Sequence, residues 1–305
     1  MNTSIILCTY NGSKYIKELI QSLKLQVDGF DEIVICDDNS KDDTITIISD
    51  LLDEEIRNGK AKIFINANSL GAYGNFINAC SLASGDLLFF CDQDDIWIND
   101  KVSCMKNIMA ANSRINVLAA NLKPLYEGRT GLKARIALEH QVNNENLVFV
   151  DCKAENIATR RSGCTMCIRR EYYNKIRPLW IENWAHDDFF WKMAVNEGSL
   201  AIINHLSVLR RVHGNNTSIN VNRSRKNRID QIKTEINHSL IAINHTSNDS
   251  EIATKQYIDF LKMRIHNLDK PSLYYFFKIL VNNKNLFRSK SQIIMDLYLT
   301  INRKL

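Results

Sequence analysis

An α/β fold, with a doubly wound, mainly parallel sheet and a C-terminal helical appendage, is what this sequence predicts, on three observations. Short apolar runs rich in β-branched and aromatic residues alternate with amphipathic stretches through the first hundred residues, as in sheets built from strand–helix–strand units. Polar clusters recur just after those runs: Thr9-Tyr10-Asn11, Asp37-Asp38-Asn39 and Asp92-Gln93-Asp94-Asp95. After Asn216 the hydrophobic pattern turns helical.

Ser4–Cys8, Glu32–Cys36, Lys62–Ile65 and Asp86–Cys91 read as buried strands, being short, apolar and bounded by turn residues. Between them Ser13–Leu25, Asp42–Arg57 and Gly74–Ala83 read as helices, with the Ser13 and Ser40 hydroxyls placed to cap free backbone N–H groups. A helix over Asn99–Asn112 and a strand at Asn116–Ala120 follow. Residues 121–160 mix Lys, Arg, Asn and Glu and predict irregular structure lining an acceptor site. Gly163–Ile168 reads as a strand, His186–Asn196 as a helix, and Leu200–Val212 as one or two strands. Ile229–Ile243, Glu251–Leu268, Ser272–Val281 and Ser291–Ile301 have helical periods. The chain thus divides into a sheet-bearing domain, 1–217, and a basic helical region, 218–305.

Composition narrows the class. With 305 residues, 45% apolar and 24% charged, and with 11 Gly and 3 Pro, the chain is neither fibrous nor disordered. The net charge of +5 conceals an asymmetry: residues 1–204 carry 22 Lys and Arg against 27 Asp and Glu, and residues 205–305 carry 17 against 7. A basic final third fits an anionic partner or a solvated helical face, and no nucleic-acid-binding motif accompanies it. The first residues lack the positive flank of a signal peptide. The most apolar stretch, Ser272–Val281, is half a membrane span and contains Lys278. A cytoplasmic protein, or one peripheral on the cytoplasmic membrane, is expected. The 8 cysteines read as buried hydrophobes, since Cys164 and Cys167 have CxxC spacing but no second pair follows.

The acidic clusters carry the chemistry. Asp92, Asp94 and Asp95 lie at the end of the apolar run Leu87–Cys91, and clustered carboxylates repel unless a cation or donors compensate them. Oxygen ligands at a strand end suit Mg²⁺ or Mn²⁺; the competing reading is an acidic loop. Asp38 can accept hydrogen bonds from a ribose or base, although Asp-Asn-Ser also makes turns. Asp187 and Asp188 start an apolar helix, where carboxylates either stabilise the dipole or, among aromatics, serve as a base. Arg210-Arg211-Val212-His213 ends a strand with side chains able to clamp a diphosphate or ligate a metal; a lone His is more often structural.

Together these segments resemble the GT-A-fold glycosyltransferases called family 2. Ile5–Asn11 looks like that family's first strand and Thr-Tyr-Asn turn, and Val34–Thr44 like its Asp-Asp-x-Ser segment. Asn68-Ser-Leu-Gly71, followed by Asn75 and Ala79, resembles its Asn-x-Gly segment. Cys91–Trp97 resembles its Asp-x-Asp motif in the form of bacterial rhamnosyltransferase-like members. The likeness spans residues 3–217. It implies that Asp38, Thr9, Tyr10, Asn11 and Asn68 shape the nucleotide pocket, and that Asp92, Gln93 and Arg211 face the ribose and diphosphate. It also implies that Asp94 and His213 hold the metal and that Asp187 is the base. His186 stands where the family has Glu, which leaves Asp188 as a second candidate. The absence of a Gln-x-x-Arg-Trp motif argues against a processive polymerase. An inverting transfer from a nucleotide sugar (dTDP-rhamnose or a UDP-hexose) to a polyprenyl-diphosphate-linked glycan acceptor follows, in bacterial O-antigen or capsule synthesis. Tyr274, Tyr275, Phe276, Phe277 and Phe287, beside Lys278, Lys284, Arg288 and Lys290, suit contact with a membrane surface. The rival readings are a sugar nucleotidyltransferase, whose glycine-rich basic loop the segment Thr9–Lys14 does not match, and an inactive nucleotide-sugar-binding scaffold.

Overall fold

The computed structural model describes residues 1–127, 143–213, 224–245 and 248–302. Nine strands occur among them: β1 Thr3–Thr9, β2 Glu32–Asp37, β3 Ala61–Ile65, β4 Leu87–Asp92, β5 Ile96–Trp97, β6 Val117–Tyr126, β7 Leu147–Phe149, β8 Met166–Arg169 and β9 Leu200–Val212. They form one sheet of order β3-β2-β1-β4-β8-β6-β9-β5, with β7 paired to β9. The first four run parallel. Beyond β4 the sheet is mixed: β8 is antiparallel to β4 and β6, while β6 and β9 run parallel.

Register positions the site. Thr9 pairs with Asp37, and Cys8 with Asp92, so the three polar clusters leave the sheet along one edge, where ligands collect in open α/β sheets. Successive residues of a strand face opposite sides, and both sides are covered here. Ile5, Leu7, Ile33, Ile35 and Phe89 pack with helices Ile16–Lys24 and Lys101–Ala111. Ile6, Cys8, Val34 and Phe90 pack with helices Gly71–Leu82 and His186–Asn196. Burial on both faces is why these strands read as unbroken apolar runs.

Four helices, Arg225–Ile243, Asn248–Asp269, Leu273–Asn283 and Lys290–Ile301, form the C-terminal region. The first packs on helix His186–Asn196, and Phe260 and Phe287 join the same core as Phe90. The expected boundary at 217/218 lies outside the described residues. Phe276 and Phe287 turn inward rather than toward solvent, because they fill gaps between these helices.

Local details differ from expectation for definable reasons. Ser13 and Ser40 do not cap helices. The Ser13 N–H donates to Asp42 at 3.0 Å, and the Ser40 hydroxyl accepts from Asn11 N–H and donates to Asp37. The stretch after Asp42 breaks into helices Thr44–Leu51 and Asp53–Arg57. Residues 163–165 form a 3₁₀ turn ahead of β8. Part of the irregular stretch expected at 121–160 is strand, because β6 continues to Tyr126 along β9; residues 128–142 lie outside the described part.

Candidate active site

The loops after β1, β2 and β4 are stitched together. Asn11 adopts φ 48°; its N–H donates to Ser40 and its side chain accepts from Lys41 N–H, each at 2.8 Å. Gln93 acts as a detached strand: it accepts the Tyr10 N–H at 2.8 Å and donates to the Tyr10 carbonyl at 3.0 Å. A Cβ on Gly12 would lie 2.3 Å from Gln93 Oε1, so any side chain here would displace the Gln93 amide. The Tyr10 ring projects from this platform, 55% exposed.

Both carboxylates after β2 are buried and engaged by neighbouring loops. Asp37 is consumed by Thr9 and Ser40. Asp38 accepts from Asn66 at 2.9 Å, Ser69 at 2.5 Å, Leu70 N–H at 2.7 Å and Gly71 N–H at 3.0 Å. Burial alone raises its pKa, but the bonds from Ser69, Leu70, Asn66 and Gly71 outweigh it and hold it below the ordinary value. Asn68 sits exposed on the same loop. The residues that tie that loop to Asp38, Asn66 and Ser69, carried no signal in the sequence.

At the β4 end, three carboxylates crowd together. Burial, then the neighbouring Asp94, pushes Asp92 up to about 6; Arg210 opposes this and Asp187 adds to it. Asp95 is buried, accepts the Arg211 N–H at 3.0 Å and is raised well above the carboxylate range by burial and by Asp92. Ligand atoms of Asp92, Asp95 and Cys164 fall within 4.8 Å of one another. Asp94 Oδ2 lies 2.9 Å from His213 Nε2, and the imidazole stacks on Tyr15 at 4.9 Å.

Arg210 and Arg211 part company. Arg211 is buried: its Nε donates to the Asp94 carbonyl at 2.9 Å and its terminal nitrogens pair with Glu18 and Glu127. It braces the aspartate loop from behind. Arg210 bonds Ser162 at 3.2 Å. Burial alone lowers its pKa, but Cys164, Asp92, Asp95 and Asp94 more than reverse that.

At the start of helix His186–Asn196, Asp187 accepts the Asp188 N–H at 2.8 Å and lies 3.3 Å from Arg160. Asp188 is buried and takes Trp184 Nε1 at 2.9 Å, Lys192 at 2.8 Å and Arg288 at 2.6 Å. Burial raises its pKa, yet Lys192, Arg288 and Arg160 hold it well below the usual range. His186 is sealed between Phe76, at 4.0 Å, and Phe90, at 5.3 Å. Burial lowers its pKa to about 4, so it is neutral at pH 7. Asp92 thus feels the charges of Asp94 and Asp187, and Asp94 meets His213, while Asp188 is buried among Trp184, Lys192 and Arg288.

Residues 4–177 match the sequence profile described as glycosyl transferase family 2. The chain belongs to this family. It is 29% identical over 225 residues to the dTDP-rhamnosyl transferase RfbG of Shigella flexneri, covering 69% of this chain and 72% of RfbG. It is 33% identical over 193 residues to the GalNAc(5)-diNAcBac-PP-undecaprenol beta-1,3-glucosyltransferase of Campylobacter jejuni, covering 61% of each. Its fold matches S. aureus TarS 1–349 in complex with UDP-GlcNAc, with a TM-score of 0.66, 19% identity, and 94% of this chain and 78% of that one covered. It also matches a Pyrobaculum calidifontis mannosyltransferase in complex with GDP-Man and Mn²⁺, with a TM-score of 0.54, 15% identity, and 98% and 84% covered. The sheet is that of a GT-A glycosyltransferase.

Proposed function

We propose that this chain is an inverting, metal-dependent glycosyltransferase that moves a hexose or rhamnose from a nucleotide diphosphate to a polyprenyl-diphosphate-linked glycan. The observation that carries the reading is the division between neighbouring carboxylates. Asp188 is neutralised by Lys192 and Arg288, whereas Asp187 lies within electrostatic reach of Asp92, whose pKa burial and Asp94 raise to about 6. Asp38, Thr9, Tyr10, Asn11 and Asn68 line the nucleotide side, and Asp92 and Gln93 meet the ribose and diphosphate. Arg210, which lies within electrostatic reach of Asp92, Asp95 and Asp94, is the arginine we place on the diphosphate.

The excess of carboxylates fits a divalent cation, held by Asp94 and His213. A nitrogen donor favours Mn²⁺ over Mg²⁺, which prefers an all-oxygen shell. When bound, the ion stabilises negative charge on the leaving diphosphate. The protein's own step is a single displacement. Asp187 takes the proton of the acceptor hydroxyl as its oxygen bonds to the anomeric carbon. The bond from that carbon to the phosphate oxygen breaks, and its electron pair leaves with the nucleoside diphosphate. Attack opposite the leaving group inverts the configuration. The names of the relatives favour dTDP-rhamnose or a UDP-hexose as donor, and bacterial surface polysaccharide as the destination.

A donor screen with dTDP-, UDP- and GDP-sugars, read as nucleoside diphosphate release with Mn²⁺ or Mg²⁺, tests this. Release with at least one donor, lost on chelation and in Asp94→Ala, is expected. A folded protein that releases nothing from any donor is a binding scaffold instead.

Among the described residues no helix is long and apolar enough to cross a membrane. Helix Leu273–Asn283 exposes Tyr274, Phe277 and Val281, and helix Lys290–Ile301 exposes Ile294, Tyr298 and Ile301. Lys278, Lys284 and Lys290 are exposed beside them. We place this face on the anionic cytoplasmic membrane surface. Sedimentation with vesicles containing phosphatidylglycerol, but not with phosphatidylcholine alone, is expected and should fail in Tyr274→Ser/Val281→Ser; equal binding to both vesicles refutes it.

A further inference from the structure

A cavity of about 380 Å³ lies between the start of the Asp187 helix and the C-terminal helical region. Its catalytic-side wall includes Tyr73 and Arg160. Arg160 stands 3.3 Å from Asp187, and Tyr73 has its pKa raised by burial and then by the charge of Asp187. The cavity therefore adjoins the carboxylate assigned as base.

Asp188 and Glu235 also line it, each paired with Lys192 and Arg288, and further arginines face them. Arg228, Arg264 and Arg288 reach it from three different helices or their flanks. Arg288 is matched, since it bonds Asp188 and Glu235. Arg228 and Arg264 are not matched: they share one carboxylate, Asp296, at 2.9 and 2.7 Å through their Nε atoms. The Nη2 of each is buried and has no acceptor among the described residues. A guanidinium does not lose its proton in a protein, and a buried donor without an acceptor is costly. Two such donors lining one cavity ask for an anion with several acceptor oxygens, and the planar guanidinium fork matches phosphate geometry.

We infer that this cavity holds the phosphate or diphosphate of the acceptor. The inference rests on the glycosyltransferase reading. In an acceptor of one sugar on its carrier, the hydroxyl attacked beside Asp187 lies one ring from the anomeric diphosphate, on the side turned from the donor. The donor diphosphate belongs to the strand-end cluster with Arg210, so the molecule has two anion sites separated by the Asp187 helix start. The helical region thereby becomes a reader of activated acceptors, recognising that they are phosphate-linked rather than which sugar they carry.

Calorimetry on the full chain in chelator, with inorganic pyrophosphate as titrant, tests the subsite. Wild type and Asp94→Ala are expected to bind alike, and Arg228→Gln at least tenfold more weakly. Arg228→Lys, which keeps the charge beside Asp296 but loses the fork, should fall between. Farnesyl diphosphate should compete with pyrophosphate, and UDP should not. Binding lost in Asp94→Ala and kept in Arg228→Gln puts the anion in the donor site and overturns the inference, as does no binding to wild type. UDP binding with Mn²⁺, measured on the same Arg228→Gln protein, shows that the variant is folded. Pyrophosphate binding that depends on Arg228, in a protein that turns over no donor, refutes glycosyl transfer while keeping the anion site. Donor turnover with pyrophosphate binding indifferent to Arg228 does the reverse.

Discussion

The edge of the sheet and the seam beneath the helical region both concentrate ionised side chains, yet they are electrostatically opposite. At the edge, Asp92, Asp94 and Asp95 crowd together, and burial pushes Asp92 and Asp95 up. At the seam, Asp188 and Glu235 meet Lys192 and Arg288, and their pKa values fall, Glu235 to about 2 once these partners outweigh its burial. In one set like charges raise each other; in the other, opposite charges lower them. Carboxylates of the same kind thus take opposite protonation tendencies according to which charges the fold places beside them.

Neighbouring substitutions give the largest test of this contrast. Asp187→Asn should lower turnover by roughly 10²–10⁴-fold, as expected when a general base is removed, and leave the melting temperature within about 2 °C of wild type. Asp188→Asn should do the opposite first. Breaking a buried ion network costs about 3–5 kcal/mol, which in a chain of this size lowers Tm by roughly 10 °C. Kinetics and thermal melts on the pair decide the matter, and a swap of the two phenotypes would move the base to Asp188.

Acid titration probes the seam and its neighbourhood more gently. His186 and His238 are each held near 4 by burial, below the ordinary 6.5, so the unfolded chain binds these protons more readily than the folded one. The stability they contribute is fully present above about pH 6.5 and drains away as pH falls toward 4. About 2 kcal/mol per histidine should be lost between pH 7 and pH 5, visible in denaturant midpoints. His186→Phe should flatten that slope; an unchanged slope excludes His186 as a contributor.

The smallest effect is expected at the edge. Gly12→Ala would force Gln93 off the Tyr10 backbone, at about 1 kcal/mol for the exposed hydrogen bonds lost. Nucleotide binding should weaken severalfold, measured by calorimetry, while Tm hardly moves. Unaltered affinity would show that the Gln93 bridge does not shape the pocket.

Much of the edge was legible in the sequence because parallel strands buried on both faces are continuous apolar runs, and the polar clusters mark where each run leaves the core. The helix His186–Asn196 and strand Leu200–Val212 came out at those same bounds. The seam was not legible. Arg288 reaches Asp188 from 100 residues away, and no local pattern reports such a partner. The division of labour between Arg210 and Arg211 was hidden for a simpler reason. Adjacent strand residues point to opposite faces, and which face is the cleft depends on how β9 pairs with β6. Asn66 and Ser69 escaped because a loop's hydrogen bonds to Asp38 leave no periodic trace.

The reach of Arg288 also has a consequence in time. During synthesis the sheet and the helix bearing Asp187 emerge from the ribosome well before Arg288 is made. Until then Asp188 and Lys192 lack the guanidinium that completes their network, and Glu235 lacks its partner on the far side. A nascent chain can build its sheet and the polar strand ends early, but the wall beside Asp187 closes only with the finished helices.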